Sequence, residues 1–378
     1  MNDLRWDPYV LISNKDINSF WLNHFNENDK RSVLFILGKG FDIRMNLVLK
    51  SFLEQSKFLD INCLLVEYNE GAESPSHKYN DLIYANITEL NNILFSNNRN
   101  KYESLFIDIW KTEGREKRRI GDRDISEKIF NYDITNYSDI IVDVSSLPRG
   151  IYFALIGTLL KKIDSDEKLK RKNLFVTVAE NIEIDKRIDE EGIDERIKCI
   201  HGFGGGIEKE SNKKPLIFLP VLGEKKTNEL NRLNTHLNPQ EICPILPFPS
   251  KNPRRSDSLL IDYHKILFDE LRIESQNIMY VPEQNPFEMY RILSSTINNY
   301  NNSLAVLSGC NAAVAVFSSK LLTIGVLLAA YEKEEGLGVY NLEAQGYSIE
   351  NEDIELLKLL NENSEIFLMW LNGEAYEK

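Results

Sequence analysis

Val33-Leu34-Phe35-Ile36-Leu37-Gly38-Lys39-Gly40 is the stretch on which the fold turns. Its apolar run has neither the alternation of a half-exposed strand nor the length of a helix, so it reads as a parallel strand covered on both faces. Gly-Lys-Gly then closes it as a tight turn. A helix is expected near 45–55, and Ile61-Asn62-Cys63-Leu64-Leu65-Val66-Glu67 supplies a second strand at the spacing of a βαβ unit. Similar runs recur at 140–144, 174–178, 216–219, 278–281, 304–307 and 337–340. Helical patterns at 81–94, 150–163, 259–271, 286–300, 313–331 and 351–360 separate most of them. The alternation predicts an α/β fold, Rossmann-like and doubly wound, with a mostly parallel sheet, helices on both faces and charged insertions.

Working outward, residues 1–30 read as a helical lead-in and 31–235 as a Rossmann-like α/β half. Charged insertions at 97–138 and 182–214 interrupt that half. The second of these carries His201-Gly202-Phe203-Gly204-Gly205-Gly206, a flexible loop by composition. Pro239, Pro244, Pro247, Pro249 and Pro253 stiffen a connector at 235–255. Residues 236–378 form a second α/β half that is expected to continue the same sheet. The strands at 33–37, 140–144, 174–178 and 304–307 are then neighbours in one core. Phe367-Leu368-Met369-Trp370-Leu371 reads as a final buried strand, or as a docking surface if the ligand site is vestigial.

Composition narrows the function. The chain has 378 residues, 42% hydrophobic and 27% charged, as in folded globular proteins. No stretch reaches the roughly 18 apolar residues of a membrane span. The amino terminus lacks the basic start and apolar segment of a secretory signal, so a cytoplasmic location and no membrane partner are expected. Cys63, Cys199, Cys243 and Cys310 are scattered without metal-ligand spacing, which predicts buried thiols and no metal. A net charge of −13 repels nucleic acid except at a local basic patch, for which 111–123 is the candidate.

The polar residues that invite chemistry follow strands, where doubly wound folds bind ligands. Gly38, Lys39, Gly40, Asp42 and Arg44 offer backbone amides and two cations to a phosphate or carboxylate, although Asp42 also suits a helix cap. Asp143, Ser145, Ser146 and Arg149 end the strand at 140–144, and a buried Asp143 needs a partner. Ser250, Arg254 and Arg255 lie in a proline-stiffened loop suited to phosphate recognition. Glu283 follows the strand at 278–281 and is placed to accept from ribose hydroxyls, while Asn285-Pro286 also makes a good helix start. No nucleophile elbow, metal-binding helix or paired His/Cys cluster is present, so catalytic residues and cofactors go unnamed.

Ser308-Gly309-Cys310-Asn311, then Ser318-Ser319-Lys320 and a small-residue helix with Gly325, precede the short strand Val339-Tyr340. Over 303–347 this resembles the end of CARF-type Rossmann-like domains, with Ser318-Ser319 in place of Gly-Thr before Lys320. The resemblance implies a sensor or adaptor of a prokaryotic antiviral defence system, with Lys320 closing the far side of the site. The residues themselves point to a protein that binds an anionic small molecule, a nucleotide or phosphorylated ligand. A hydrolase or transferase using Asp42, Asp143 or Glu283 as acid/base, and a protein-interaction subunit, are the alternatives. Lys39, Arg44, Arg149 and Arg255 are expected to line one positive cleft. Replacing Arg149 with Ala is expected to weaken nucleotide binding about ten- to a hundred-fold without unfolding the protein.

Overall fold

The computed structural model describes residues 4–26, 31–56, 60–71, 74–96, 102–113, 116–194, 196–207, 214–349 and 353–377. The chain forms two compact units. One, the split unit, comprises 8–193 and 344–378; the other, the inserted unit, comprises 194–343 together with the residues through Asp7.

The split unit begins with β1 (Val10–Ser13), α1 (Ile17–His24), β2 (Ser32–Gly38), α2 (Leu47–Gln55), β3 (Asp60–Asn69), α3 (Asn80–Ser96) and β4 (Glu103–Asp108). The hairpin β5 (Trp110–Glu113) and β6 (Glu116–Arg119), α4 (Gly121–Asn131), β7 (Asp139–Asp143), α5 (Arg149–Ser165), β8 (Asn173–Glu180), α6 (Ile182–Asp185) and β9 (Ile188–Ile193) follow. The inserted unit then contributes β10 (Lys198–Cys199), β11 (Leu216–Val221), α7 (Thr227–Leu237), β12 (Glu241–Ile242), β13 (Ile245–Pro247) and α8 (Arg255–His264). It continues through β14 (Met279–Val281), α9 (Pro286–Ser303), β15 (Asn311–Val316), α10 (Lys320–Lys333) and β16 (Leu337–Asn341). The chain re-enters the split unit as β17 (Ala344–Ile349), α11 (Ile354–Asn361) and β18 (Glu365–Asn372).

In the split unit the sheet runs β1-β18-β8-β7-β2-β3-β4, parallel from β8 to β4, with β18 antiparallel to β8 and β1 antiparallel to β18. The continuous apolar run makes β2 buried from Val33 onward, as both-face coverage requires. Phe35, Phe52, Phe175, Trp21 and Phe25 form the aromatic heart of this core. The inserted unit has its own sheet, β10-β16-β15-β11-β13-β14, with β12 beside β11. In it, α10 is buried all round from Leu321 to Tyr331. A Cβ at Gly325 would stand 2.3 Å from the Pro286 carbonyl oxygen, so glycine is what lets α9 and α10 cross closely.

Several expectations are corrected. A single sheet is replaced by two, and the units part at 193/194 and 343/344 instead of near 236. Residues 304–307 are a 3-10 turn at the end of α9, with Val306 97% exposed; the strand is β15, whose alanines resemble helix formers. Ser308 and Gly309, both left-handed, stop the helix there. The 97–138 insertion supplies β4, the edge strand, together with the hairpin and α4; its residues 97–101, 114 and 115 lie outside the described residues. Part of the 182–214 insertion, 195 and 208–213, does so too. The His201–Gly206 loop is pinned, since Phe203 is buried and the Val339 and Gly336 amides donate to Phe203 and Gly205. Residues 367–371 lie inside β18, between β1 and β8, and so offer no docking surface. Trp6, expected in a helical lead-in, packs edge-on against Tyr290 in the inserted unit at 5.3 Å.

Asp139 opens β7 in complete burial. Its Oδ1 meets His24 Nε2 at 2.9 Å and accepts from Asn173 at 2.8 Å and Arg31 at 3.3 Å; Ser138 donates to Oδ2 at 2.6 Å. Burial pushes the carboxyl up, but the hydrogen bonds from His24, Ser138 and Asn173 outweigh it and hold it below its ordinary 3.8. A depressed carboxylate contributes stability above its unfolded pKa and loses it as pH falls through the folded one. Urea denaturation of Asp139→Ala should therefore show a loss of about 3 kcal/mol at neutral pH, and this difference from wild type should shrink as pH is lowered below 3.8.

Candidate functional site

After β2 the chain builds β3 and β4 on one side, then crosses to build β7 and β8 on the other. Strand order thus reverses between β2 and β7, the position at whose carboxyl strand ends open α/β sheets bind ligands. The loops leaving these ends are the two polar turns singled out by sequence. Ser146 Oγ donates to the Gly38 carbonyl at 2.6 Å. A Cβ at Gly38 would lie 2.4 Å from Leu147 Cδ2, and one at Gly40 3.2 Å from the Tyr68 hydroxyl. From α3, Asn86 Nδ2 donates to the carbonyls of Gly40 at 2.9 Å and Asp42 at 3.0 Å, fixing the turn from outside.

The cations are more committed than their sequence suggests. Arg44 is buried and gives Nε and Nη2 to Asp42 at 3.0 and 2.8 Å, with Nη1 2.8 Å from Asp185. Burial opposes its charge, yet Asp185 and Asp42 outweigh it and raise its pKa. Arg44 is thus a clamp between loops, and Asp42 caps the turn that leads into α2. Lys39 Nζ lies 2.7 Å from Glu67, which also accepts from Ser104 at 2.6 Å. This half-exposed lysine borders a cleft of about 340 Å³ lined further by Tyr68, Phe106, Asp108 and Lys128. Asp143 accepts from the Ser145 amide at 3.0 Å and hydroxyl at 2.5 Å, while the Ala179 amide donates to Ser145 Oγ at 2.8 Å. These two residues tie β7 to β8. Arg149 heads α5; desolvation disfavours its charge, but Glu190 foremost, with Tyr152 and Tyr347, raises its pKa. Glu190 and Tyr347 face each other across the β9–β17 ladder.

The inserted unit repeats the device. Its chain builds β13 and β14 on one side of β11 and returns to β15 and β16 on the other. At this second reversal a Cβ on Gly223 would stand 1.8 Å from the Phe317 carbonyl oxygen, so only glycine allows the loops after β11 and β15 to touch. Ser319 Oγ caps α10 by accepting from the Leu322 amide, and Lys320 is the first residue of that helix. Ser250 donates to the Asn252 carbonyl and the Arg254 amide donates to Asn252 Oδ1, so both shape their own loop. Arg255 instead bridges Glu224 and Glu283.

Sequence-predicted residues therefore gather in two places. Gly38, Lys39, Gly40, Asp42, Arg44, Asp143, Ser145, Ser146 and Arg149 belong to the split unit; Ser250, Arg254, Arg255, Glu283 and Lys320 belong to the inserted unit. The expected common cleft of Lys39, Arg44, Arg149 and Arg255 is built within neither, because they follow strands of different sheets. Glu67, Asn86, Gly223 and Glu224 went unnoticed. Gly223, which follows a buried strand just as Gly38 does, was the legible signal among them. Among the described residues no cluster of His, Cys, Asp and Glu is arranged to hold a metal ion, and no helix is long and apolar enough to cross a membrane.

No family model matches the chain, and no curated protein matches it. Solved structures similar to it include a Pseudomonas aeruginosa UCBPP-PA14 protein assigned as a universal stress protein. That pair shares 10% identity over 88% of this chain and 96% of the other, with a TM-score of 0.23. A Listeria monocytogenes protein assigned as a UDP-N-acetylglucosamine 2-epimerase shares 10% identity over 77% and 75%, also with a TM-score of 0.23. Likenesses of that score carry no argument, and the α/β architecture rests on the chain's own two sheets.

The clamp role of Arg44 has a measurable consequence. Arg44→Met should cost about 3 kcal/mol or more in urea denaturation, because it strands Asp42 in a buried site. Affinity for anions per folded molecule should stay unchanged; a loss of affinity with stability intact would instead make Arg44 a ligand contact.

Proposed function

We propose that this protein binds a nucleotide or another phosphorylated small molecule at the strand-end crevice of the split unit, as a sensor or adaptor. The observation that carries the reading is the contact between the 38–40 and 145–147 loops where strand order reverses. Gly38 and Gly40 let Leu147 and Tyr68 pack close against the turn, and the amino end of α5 adds a partial positive charge. Lys39 supplies a mobile cation that a ligand phosphate shares with Glu67. Because that lysine is already paired, its gain on binding is the difference between two ion pairs, which predicts modest affinity.

An acid/base enzyme is less well supported, since Asp42 gives both its oxygens to Arg44 and Asp143 Oδ1 accepts from both the amide and the hydroxyl of Ser145. The finer assignment, a sensor of prokaryotic antiviral defence, rests on the CARF-type resemblance of 303–347. What supports it is the order β15, Ser318-Ser319-Lys320, α10, β16, with the lysine turn directly at a strand end.

Calorimetric titration of the purified protein with AMP and ATP, alongside mass spectrometry of copurified small molecules, tests the reading. Lys39→Ala should weaken nucleotide binding about tenfold with little change in melting temperature. Absence of any bound or titratable nucleotide in wild type, or equal affinity in the variant, would overturn the assignment.

A further inference from the structure

We propose that Arg255 and Glu283 form a second ligand site, within the inserted unit, for a small molecule bearing an oxyanion beside a hydroxyl, and that Glu224 holds the oxyanion's place. The three residues converge from separate loops at the carboxyl ends of β11, β13 and β14, where parallel sheets present ligands. Arg255 Nε and Nη2 meet the two oxygens of Glu224 at 2.7 and 2.8 Å, the parallel fork that guanidinium makes with carboxylates and phosphates. Its Nη1 donates to Glu283 Oε1.

The two acids differ in kind. The Glu283 side chain is 7% exposed, and its backbone is fixed by a 2.9 Å bond from its own amide to the Pro249 carbonyl. Glu224 is 54% exposed. A carboxylate so solvated loses little on returning to water, whereas the buried one would be left charged without its partner. Glu283 therefore holds Arg255 permanently, and Glu224 is exchangeable.

A second observation supplies the other half of the ligand. Glu283 Oε2 is buried and accepts no hydrogen bond from any described residue. A buried carboxylate oxygen left so is costly, and a ligand hydroxyl next to the Arg255-bound oxyanion satisfies it. Arginine for the anion and glutamate for the hydroxyl together select a sugar-phosphate-like group over a bare anion.

The test uses the full chain and ribose 5-phosphate, with inorganic phosphate and ribose as its two halves. Glu224→Gln lies on an exposed loop and should bind ribose 5-phosphate about tenfold more tightly than wild type, because the neutral amide releases the guanidinium. Adding Arg255→Gln should abolish that gain. On Glu224→Gln, ribose 5-phosphate should bind at least about tenfold more tightly than inorganic phosphate; equal affinities overturn the hydroxyl contact even if Glu283 variants fail to fold. No gain in Glu224→Gln overturns the exchange. Binding that survives Arg255→Gln but is lost in Lys39→Ala assigns the ligand to the split unit, overturning this site while leaving the proposed function standing.

Discussion

A parallel strand covered on both faces has no place for charge along its length, and this constraint orders everything polar in the chain. β7 shows it in five residues: Asp139 and Asp143 bracket three aliphatic ones, and all five are buried. Each acid is held in burial beside hydrogen-bond donors. At the amino end these come from His24, Arg31, Ser138 and Asn173; at the carboxyl end, from Ser145. The first set secures α1 and the carboxyl-terminal turn at Glu374 to the sheet. The second lies at the strand end where the ligand site is proposed. Stability and the proposed binding site thus occupy opposite ends of the same strand.

How much of this was legible depended on the range of the interaction. The run at 33–37 announces β2 because both-face burial leaves a local mark, and Asn285-Pro286 announces α9 because capping is local: Asn285 Oδ1 accepts from the Phe287 and Glu288 amides. Which strands pair is not local. Nothing in 174–178 and 216–219 says that the former joins β7 and β18 while the latter begins a second sheet. The run at 304–307 failed for a related reason, since its apolar residues terminate an exposed helix end instead of entering the core. Alanines at 312, 313 and 315 read as helix yet fill β15, where α10 packs on the sheet.

The strand-end turns were found because glycine, serine and charge after an apolar run are visible in one dimension. Their charge state was not. An arginine in a sequence looks available; Arg44 proves to be shared between its neighbour Asp42 and the distant Asp185, and Arg255 between Glu224 and Glu283. The net acidity of the chain makes this outcome natural, since acids outnumber bases 58 to 45 and each buried cation can recruit more than one.

The ladder between β9 and β17 sets Ile193 opposite Ala344, the very residues at which the chain leaves and re-enters the split unit. Seen from that unit's thermodynamics, the whole stretch 194–343 is the loop of a hairpin whose ends are already pinned. Closing a loop grows more costly only with the logarithm of its length, about 0.6 kcal/mol per doubling. A folded insert whose own ends lie close together removes even that cost. Such a junction tolerates exchange of its contents: the same two strands can be joined by a tight turn or carry an entire domain, and the sheet beneath registers little difference.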